Sequence, residues 1–238
     1  MRKLLMACFV ILVAAAPAFA QDYKPVEFNI GFGATFPTSS FKDSWDTGWD
    51  GTFGVTFNAN KHLGFQAEYI YARMNGPSKT ILVSPSPGGI TSSQLIESNQ
   101  QMHIGSFNVI YKDHPSDRPV GGYVLGGAGI YHRMIQLTSP AVGYTTFCDP
   151  FWYVCYPAAV SVDNILGDRS SNDFGINFGG GVTFGHEAKF YVETRYHYVW
   201  GPTITSPALP STGTGTPSCA SGCSTNASYF PITFGVKF

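Results

Sequence analysis

Residues Tyr229 to Phe238 constrain the fold more than any other stretch of the chain. Phe230, Ile232, Phe234, Val236 and Phe238 take the even positions, with Pro231, Thr233, Gly235 and Lys237 between them. A period of two places all of these apolar side chains on one face of an extended strand. No polar residue follows Phe238. In water, an uncovered aromatic strand of this kind invites pairing with other chains. Against hydrocarbon it carries no such penalty, provided that seven further strands close a sheet around it.

The chain supplies them. Val26–Phe36 alternates Val26, Phe28, Ile30, Phe32, Ala34 and Phe36 against Glu27, Asn29, Gly31, Gly33 and Thr35. Its eleven residues are enough to cross hydrocarbon when tilted. Trp49–Asn58 sets Trp49, Phe53, Val55 and Phe57 against Asp50, Thr52, Gly54 and Thr56. Leu63–Met74 alternates cleanly until Ile70 and Met74 fall on the polar side and Arg73 on the apolar one. Gln101–Tyr111 carries Phe107, Val109 and Tyr111 on one face, with Ile104 and Ile110 out of phase. Val120–Arg133 is rich in glycine, and either Tyr123, Leu125 and Tyr131 or Val124, Ala128 and Ile130 face outward; the tyrosines are the expected outer set. Asp173–Phe184 and Phe190–Trp200 alternate again, and Tyr229–Phe238 completes the eight.

Short connections follow the second, fourth and sixth strands, whereas 37–48, 75–100, 134–172 and 201–228 read as long loops. Short turns on one side, long loops on the other and an even strand number are the habit of transmembrane barrels. A soluble sandwich has no reason to sort its loops by parity. The expected fold is therefore all-β: an eight-stranded antiparallel up-and-down transmembrane barrel. Composition agrees, since aromatics reach 15% while charged residues stay at 12%, about half the usual charged share. A net charge of −1 gives no basic surface for nucleic acid. Arg2 and Lys3, the apolar run from Leu4 to Ala16 and the Ala18-Phe19-Ala20 end predict a secretory signal over residues 1–20, leaving 21–238 as one barrel domain with both termini in the periplasm.

The Ala18-Phe19-Ala20 signal end, the Val26–Phe36 strand, the Tyr123–Gly129 segment and the closing Tyr229–Phe238 strand resemble the small eight-stranded outer-membrane barrels, the OmpA-like and opacity-type group. The resemblance covers the whole mature chain. It implies an integral outer-membrane protein with lipid as its solvent. It also implies that the outer-membrane assembly machinery reads the final strand, with Phe238 as the terminal aromatic. Many members of that group carry a peptidoglycan-binding domain after the barrel. No such segment follows Phe238, so a cell-wall tether is not expected.

The inward set of such a barrel includes Glu27, Asp50, Glu68, Asp173, Glu193, Arg195, His197 and Lys237. Charges in a narrow lumen must pair or meet water, which predicts an ion-pair network with Arg195 and Lys237 facing Glu68, Glu193 and nearby acids. That network is either a structural plug or the gate of a narrow pore. Four cysteines follow the signal, and an exported chain meets an oxidising compartment. Of three pairings, Cys148–Cys155 and Cys219–Cys223, each within one loop, are expected; cross-loop bridges or a metal site are the rivals. Phe147, Phe151, Trp152, Tyr153 and Tyr156 cluster around the first pair. They form either a contact site for an extracellular ligand or host surface, or the internal packing of a long loop. His197 near Glu193 admits a lipid A-modifying enzyme, but Val199 stands where a His-x-Ser pairing needs serine. His103 and His132 suggest a metal only if the register aligns them. No cofactor is expected. The expected function is an envelope-stabilising or surface-contact barrel, with a gated channel as the alternative and lipid A modification a distant third.

Overall fold

The computed structural model describes residues 24–83, 92–113, 120–148, 155–185, 188–204 and 223–238. Eight antiparallel strands form a closed up-and-down ring. In chain order these are β1 (Val26–Pro37), β2 (Gly48–Asn58), β3 (Leu63–Asn75), β5 (Ser92–Lys112), β6 (Val120–Cys148), β7 (Cys155–Phe184), β8 (Lys189–Trp200) and β11 (Ala227–Lys237). A short β4 (Lys79–Val83) adds to the end of β5, and β9 (Thr203–Ile204) pairs with β10 (Cys223–Ser224). Two seams close the ring. β3 pairs with β5 along its whole length, from Leu63↔Tyr111 to Asn75↔Asn99. β1 pairs with β11, where Phe28 and Phe238 exchange N–H···O bonds of 2.9 and 3.0 Å. With no open edge, each strand of the ring is paired on both sides, as hydrocarbon demands, although the β8–β11 register passes over Phe230 and Pro231.

The alternation written in the sequence becomes an outside and an inside. Phe32, Phe53, Phe107, Phe178, Phe190 and Phe234 all point outward and are more than half exposed. Stacked pairs cross the closing seam on that surface: Phe36 with Phe230 at 5.3 Å and Phe28 with Phe238 at 6.0 Å. The short connections lie together at one end, here the turn end. In the β2–β3 turn the Asn60 carboxamide oxygen accepts from the backbone N–H groups of His62 and Leu63, both at 2.8 Å. After β7 the chain reverses at Gly185, whose φ of +115° favours glycine. At the opposite, loop end, the chain leaves β1 and folds into a 3-10 helix, Ser39–Asp43, which tucks Phe41 into the barrel mouth.

Two sequence expectations are corrected here. The first is the facing of the fifth barrel strand. Tyr123, Leu125 and Tyr131 point into the lumen, while Val124 and Ile130 face outward, Ile130 with 64% of its surface exposed. The tyrosines carry a hydroxyl that needs a partner, and the lumen provides one for Tyr123 and one for Tyr131; the aliphatic set has no such need. The second is the long loops at 75–100 and 134–172. Much of both is strand: β5 starts at Ser92, and β6 and β7 continue as a ribbon to Cys148 and Cys155. Beyond the barrel no period-two hydropathy marks the ribbon: Thr138 and Ser139 are buried there, while Val162, Ile165 and Leu166 are exposed. Its ladder is broken once, by a bulge at Leu137/Thr138, which twists and bends an antiparallel pair. β7 has 30 residues, whereas about 9–11 cross the hydrocarbon.

Phe178, 68% exposed in the middle of the outward row of β7, tests this division. Phe178→Arg should destabilise the inserted barrel by about 2–4 kcal/mol, read from urea unfolding in lipid vesicles. Ile165→Arg, on the same strand beyond the barrel, should cost far less. Equal costs at the two sites would contradict a lipid-facing band.

Candidate functional site

The lumen is where the polar and charged residues converge, and it is layered. Near the turn end, Lys112 Nζ bridges to Glu27 Oε2 at 2.7 Å and donates to Asn58 Oδ1 at 3.0 Å. Lys237 Nζ lies over the ring of Tyr123 at 3.7 Å and that of Tyr191 at 4.8 Å. The sequence pairs it with a carboxylate; in the structure two aromatic faces take that place, a favourable position for a desolvated ammonium.

In the middle, the Arg195 guanidinium stands between two carboxylates. Nη1 and Nη2 donate to Glu68, the latter at 3.0 Å, and Nε donates to Glu193 Oε1 at 2.5 Å. Tyr123 Oη donates to the other oxygen of Glu193 at 2.6 Å. An amide chain extends the network around the wall: Asn29 to Glu68, Gln66 to Asn29, Asn108 to Gln66 and Asn177 to Asn108, over 2.9–3.3 Å. Asp50 stands apart from the guanidinium contacts and accepts from Thr233 Oγ1 at 2.9 Å and Thr35 Oγ1 at 3.2 Å. This arrangement gives each buried charge several partners, without which burial would cost several kcal/mol.

Toward the loop end the lumen turns apolar. Ile70, Ala72, Met74, Met102, Ile104, Val199, Ala227, Tyr131 and Tyr229 pack together beneath Phe41, with Trp45 against them. The irregularities at Ile70, Met74 and Ile104 in the sequence are therefore a plug, and Phe41 and Trp45 of the first loop are its lid. Within it, His197 Nδ1 meets Tyr131 Oη at 2.9 Å, and the imidazole stacks on Tyr229 at 4.7 Å. His197 is fully buried. Arg133 Nε contacts Asp173 Oδ2 at 2.5 Å and its Nη1 donates to the Thr225 carbonyl at 2.8 Å, tying the ribbon base to the last loop. Arg133, Tyr123, Tyr131 and Tyr191 were absent from the expected set. Reversing the fifth strand's facing recovers Arg133 by parity, because it lies two residues after Tyr131.

Glycines make room for these tyrosines. A Cβ at Gly181 would stand 2.6 Å from Tyr123 Oη, at Gly175 2.5 Å from the Tyr131 ring, and at Gly31 2.3 Å from Tyr191 Oη. The lumen is thus filled by rings over glycines, as eight strands allow.

At the ribbon tip, Cys148 and Cys155 are directly opposed in the backbone register, as are Phe147 and Tyr156. Phe151, Trp152 and Tyr153 lie outside the described residues, as does Cys219 of the other expected pair. Cys223 begins β10.

An apolar outer band around a closed ring, with ion pairs and rings inside, defines a transmembrane β-barrel of the outer-membrane kind. The chain matches, over residues 6–238, the family described as outer membrane protein beta-barrel domain, and it belongs to that family. It is an integral outer-membrane protein. Among solved structures it is similar to neisserial surface protein A (13% identity, 90% of this chain and 96% of that one, TM-score 0.45). It is also similar to the N-terminal β-barrel domain of Pseudomonas aeruginosa OprF (9% identity, 90% and 98%, TM-score 0.41). A third is Ail, the attachment invasion locus protein of Yersinia pestis, crystallised with the heparin analogue sucrose octasulfate (12% identity, 90% and 97%, TM-score 0.41). No curated protein matches the chain in sequence.

Removing the central cation tests the network. Arg195→Met leaves Glu68 and Glu193 buried without it and should cost about 3–5 kcal/mol in urea unfolding from vesicles. The double variant Arg195→Met/Glu68→Met should recover part of that loss. If the single variant unfolds like the wild type, the network bears no load.

Proposed function

We propose that this barrel stabilises the outer membrane and presents its loop end for contact at the surface, without conducting solutes. The single observation that carries this reading is the β6–β7 ribbon, which continues as a paired sheet well past the ring that lipid requires. Loop-end structure of this length has no role in spanning the bilayer and suits contact with an extracellular ligand or host surface. In this reading residues 1–20 are a secretory signal, and both termini and the short turns lie in the periplasm. The assembly machinery reads Tyr229, Phe230, Ile232, Phe234, Val236 and Phe238. Cys148–Cys155 forms a bridge that fixes the ribbon tip, supported by their opposed positions; Cys219–Cys223 closes the last loop. The aromatic residues Phe147, Phe151, Trp152, Tyr153 and Tyr156 then lie beside the bridge as contact residues.

One observation favours the gated channel as a second reading. In the loop-end half of the lumen, the Gln100 amide, His197 Nε2 and Tyr229 Oη are buried with no hydrogen-bond partner among the described residues. A polar path past the plug would use such groups. Against it stands the packing of Met74, Met102, Ile104 and Phe41 across the mouth. A lipid A-modifying role has less support, since the His197 imidazole is fully buried between Tyr131 and Tyr229.

Two experiments separate these readings. Planar bilayers holding the refolded barrel should stay silent, and Arg195→Ala should leave them silent; discrete conductance steps would favour the channel. Replacing residues 139–164 by a two-residue Asn-Gly turn should leave a barrel that still assembles and restores detergent resistance to cells lacking the protein. The same cells should lose adhesion to matrix-coated surfaces, and adhesion equal to that of the full chain would contradict the surface role.

A further inference from the structure

On the outward surface, β5 and β6 change character at one level. Toward the turn end, β5 presents Val109 and Phe107 and β6 presents Val124 and Ile130, all exposed and apolar. The next outward residues toward the loop end, after Gly105 and Ile130, are His103 and His132, and the register pairs them directly. The same row continues to Tyr71 on β3 and to Asn172 on β7. The two imidazoles therefore mark the loop-end boundary of the apolar band and are half-buried. Their ring centroids are 6.2 Å apart.

Each ring is held from its Nδ1 side. Asn172 Oδ1 lies 2.7 Å from His132 Nδ1, and a carboxamide oxygen only accepts. With Asn172 accepting, His132 Nδ1 is the donor, and in the neutral imidazole Nε2 then keeps its lone pair. Tyr69 Oη lies 2.7 Å from His103 Nδ1, and Tyr71 meets the same ring edge-on at 5.1 Å. A fixed Nδ1 partner with Nε2 left open is how proteins orient a histidine that binds metal.

We propose that His103 and His132 form a two-imidazole site for a borderline divalent transition metal of the zinc class, clamping β5 to β6 at the membrane boundary. Two imidazoles on one tetrahedral ion, each with Zn–N near 2.0–2.1 Å, have centroids about 5 Å apart. The observed 6.2 Å is longer by about 1 Å, so zinc has to draw the two rings together. Imidazole nitrogen selects zinc, copper or nickel over magnesium and calcium, which want oxygen ligands. Among the described residues no group of three or more His, Cys, Asp or Glu side chains comes together around a metal position. Water completes the coordination, so the site is exchangeable, unlike the closed four-ligand sites that hold zinc permanently.

The test uses the full processed barrel, refolded in detergent with its disulfides formed and titrated with zinc chloride by calorimetry. Wild type should bind one zinc equivalent that magnesium chloride does not displace. His103→Asn and His132→Asn should each weaken it at least tenfold, and Asn172→Ala should weaken it about 10–100-fold as an outer-shell partner. Wild-type binding matched by the His103→Asn/His132→Asn double variant would overturn the proposal. A second measurement needs no substitution: imidazole nitrogen NMR on the wild type. Zinc should shift the Nε2 signals of His103 and His132, and unmoved signals would overturn the site whatever the variants do.

Discussion

The hydrogen bonds that close β3 onto β5 and β1 onto β11 are the interaction on which the rest depends. In hydrocarbon, an unpaired backbone N–H or C=O finds no water, so a sheet can enter the bilayer only as a ring. Closure at the second seam puts Phe28 beside Phe238 and Phe36 beside Phe230, and it fixes which face of every strand meets lipid. Given that register, the parity of each residue follows. Asp50, Glu68, Asp173, Glu193, Arg195 and Lys237 are sent inward, where one guanidinium serves two carboxylates and two tyrosine faces receive an ammonium.

The lumen answers that constraint in two ways along its length. Its turn-end and middle layers satisfy charges with charges and amides. Its loop-end layer removes the need for them, with Met74, Met102, Ile104 and Val199 under Phe41. Tyr123, Tyr131 and Tyr191 bridge the two solutions, each presenting its side chain to a glycine and, for Tyr123 and Tyr131, a hydroxyl to Glu193 or His197. The same economy of space that lets rings fill the bore leaves little for a solute, and this directs attention to the part of the chain that leaves the membrane.

Much of this was legible in the sequence because lipid imposes a simple code. Val26–Phe36, Asp173–Phe184 and Tyr229–Phe238 alternate strictly, since one side sees hydrocarbon and the other a polar bore. The code fails where either side changes its solvent. Ile70, Met74 and Ile104 read as faults because the bore itself turns apolar there. Tyr123 and Tyr131 misled because an aromatic ring suits both lipid and lumen, and only the hydroxyl's partner decides. The ribbon from Thr138 to Cys148 and from Cys155 to Ile165 was invisible as strand, since its burial does not follow hydropathy: polar Thr138 and Ser139 are buried while Ile165 is exposed. The pairing of His103 with His132 needed the register, which spacing in the sequence does not supply.

The central claim is that lipid is the solvent of the outer face. Spin labels placed singly along β7 in a cysteine-free barrel, reconstituted in vesicles, read it directly through collisions with oxygen and with a water-soluble nickel complex. Labels at 174, 176, 178 and 182 should collide with oxygen and be shielded from nickel, those at 173, 175 and 177 should be shielded from both, and those at 162 and 165 should meet nickel freely. Nickel access at 176 and 178 equal to that at 165 would contradict the account.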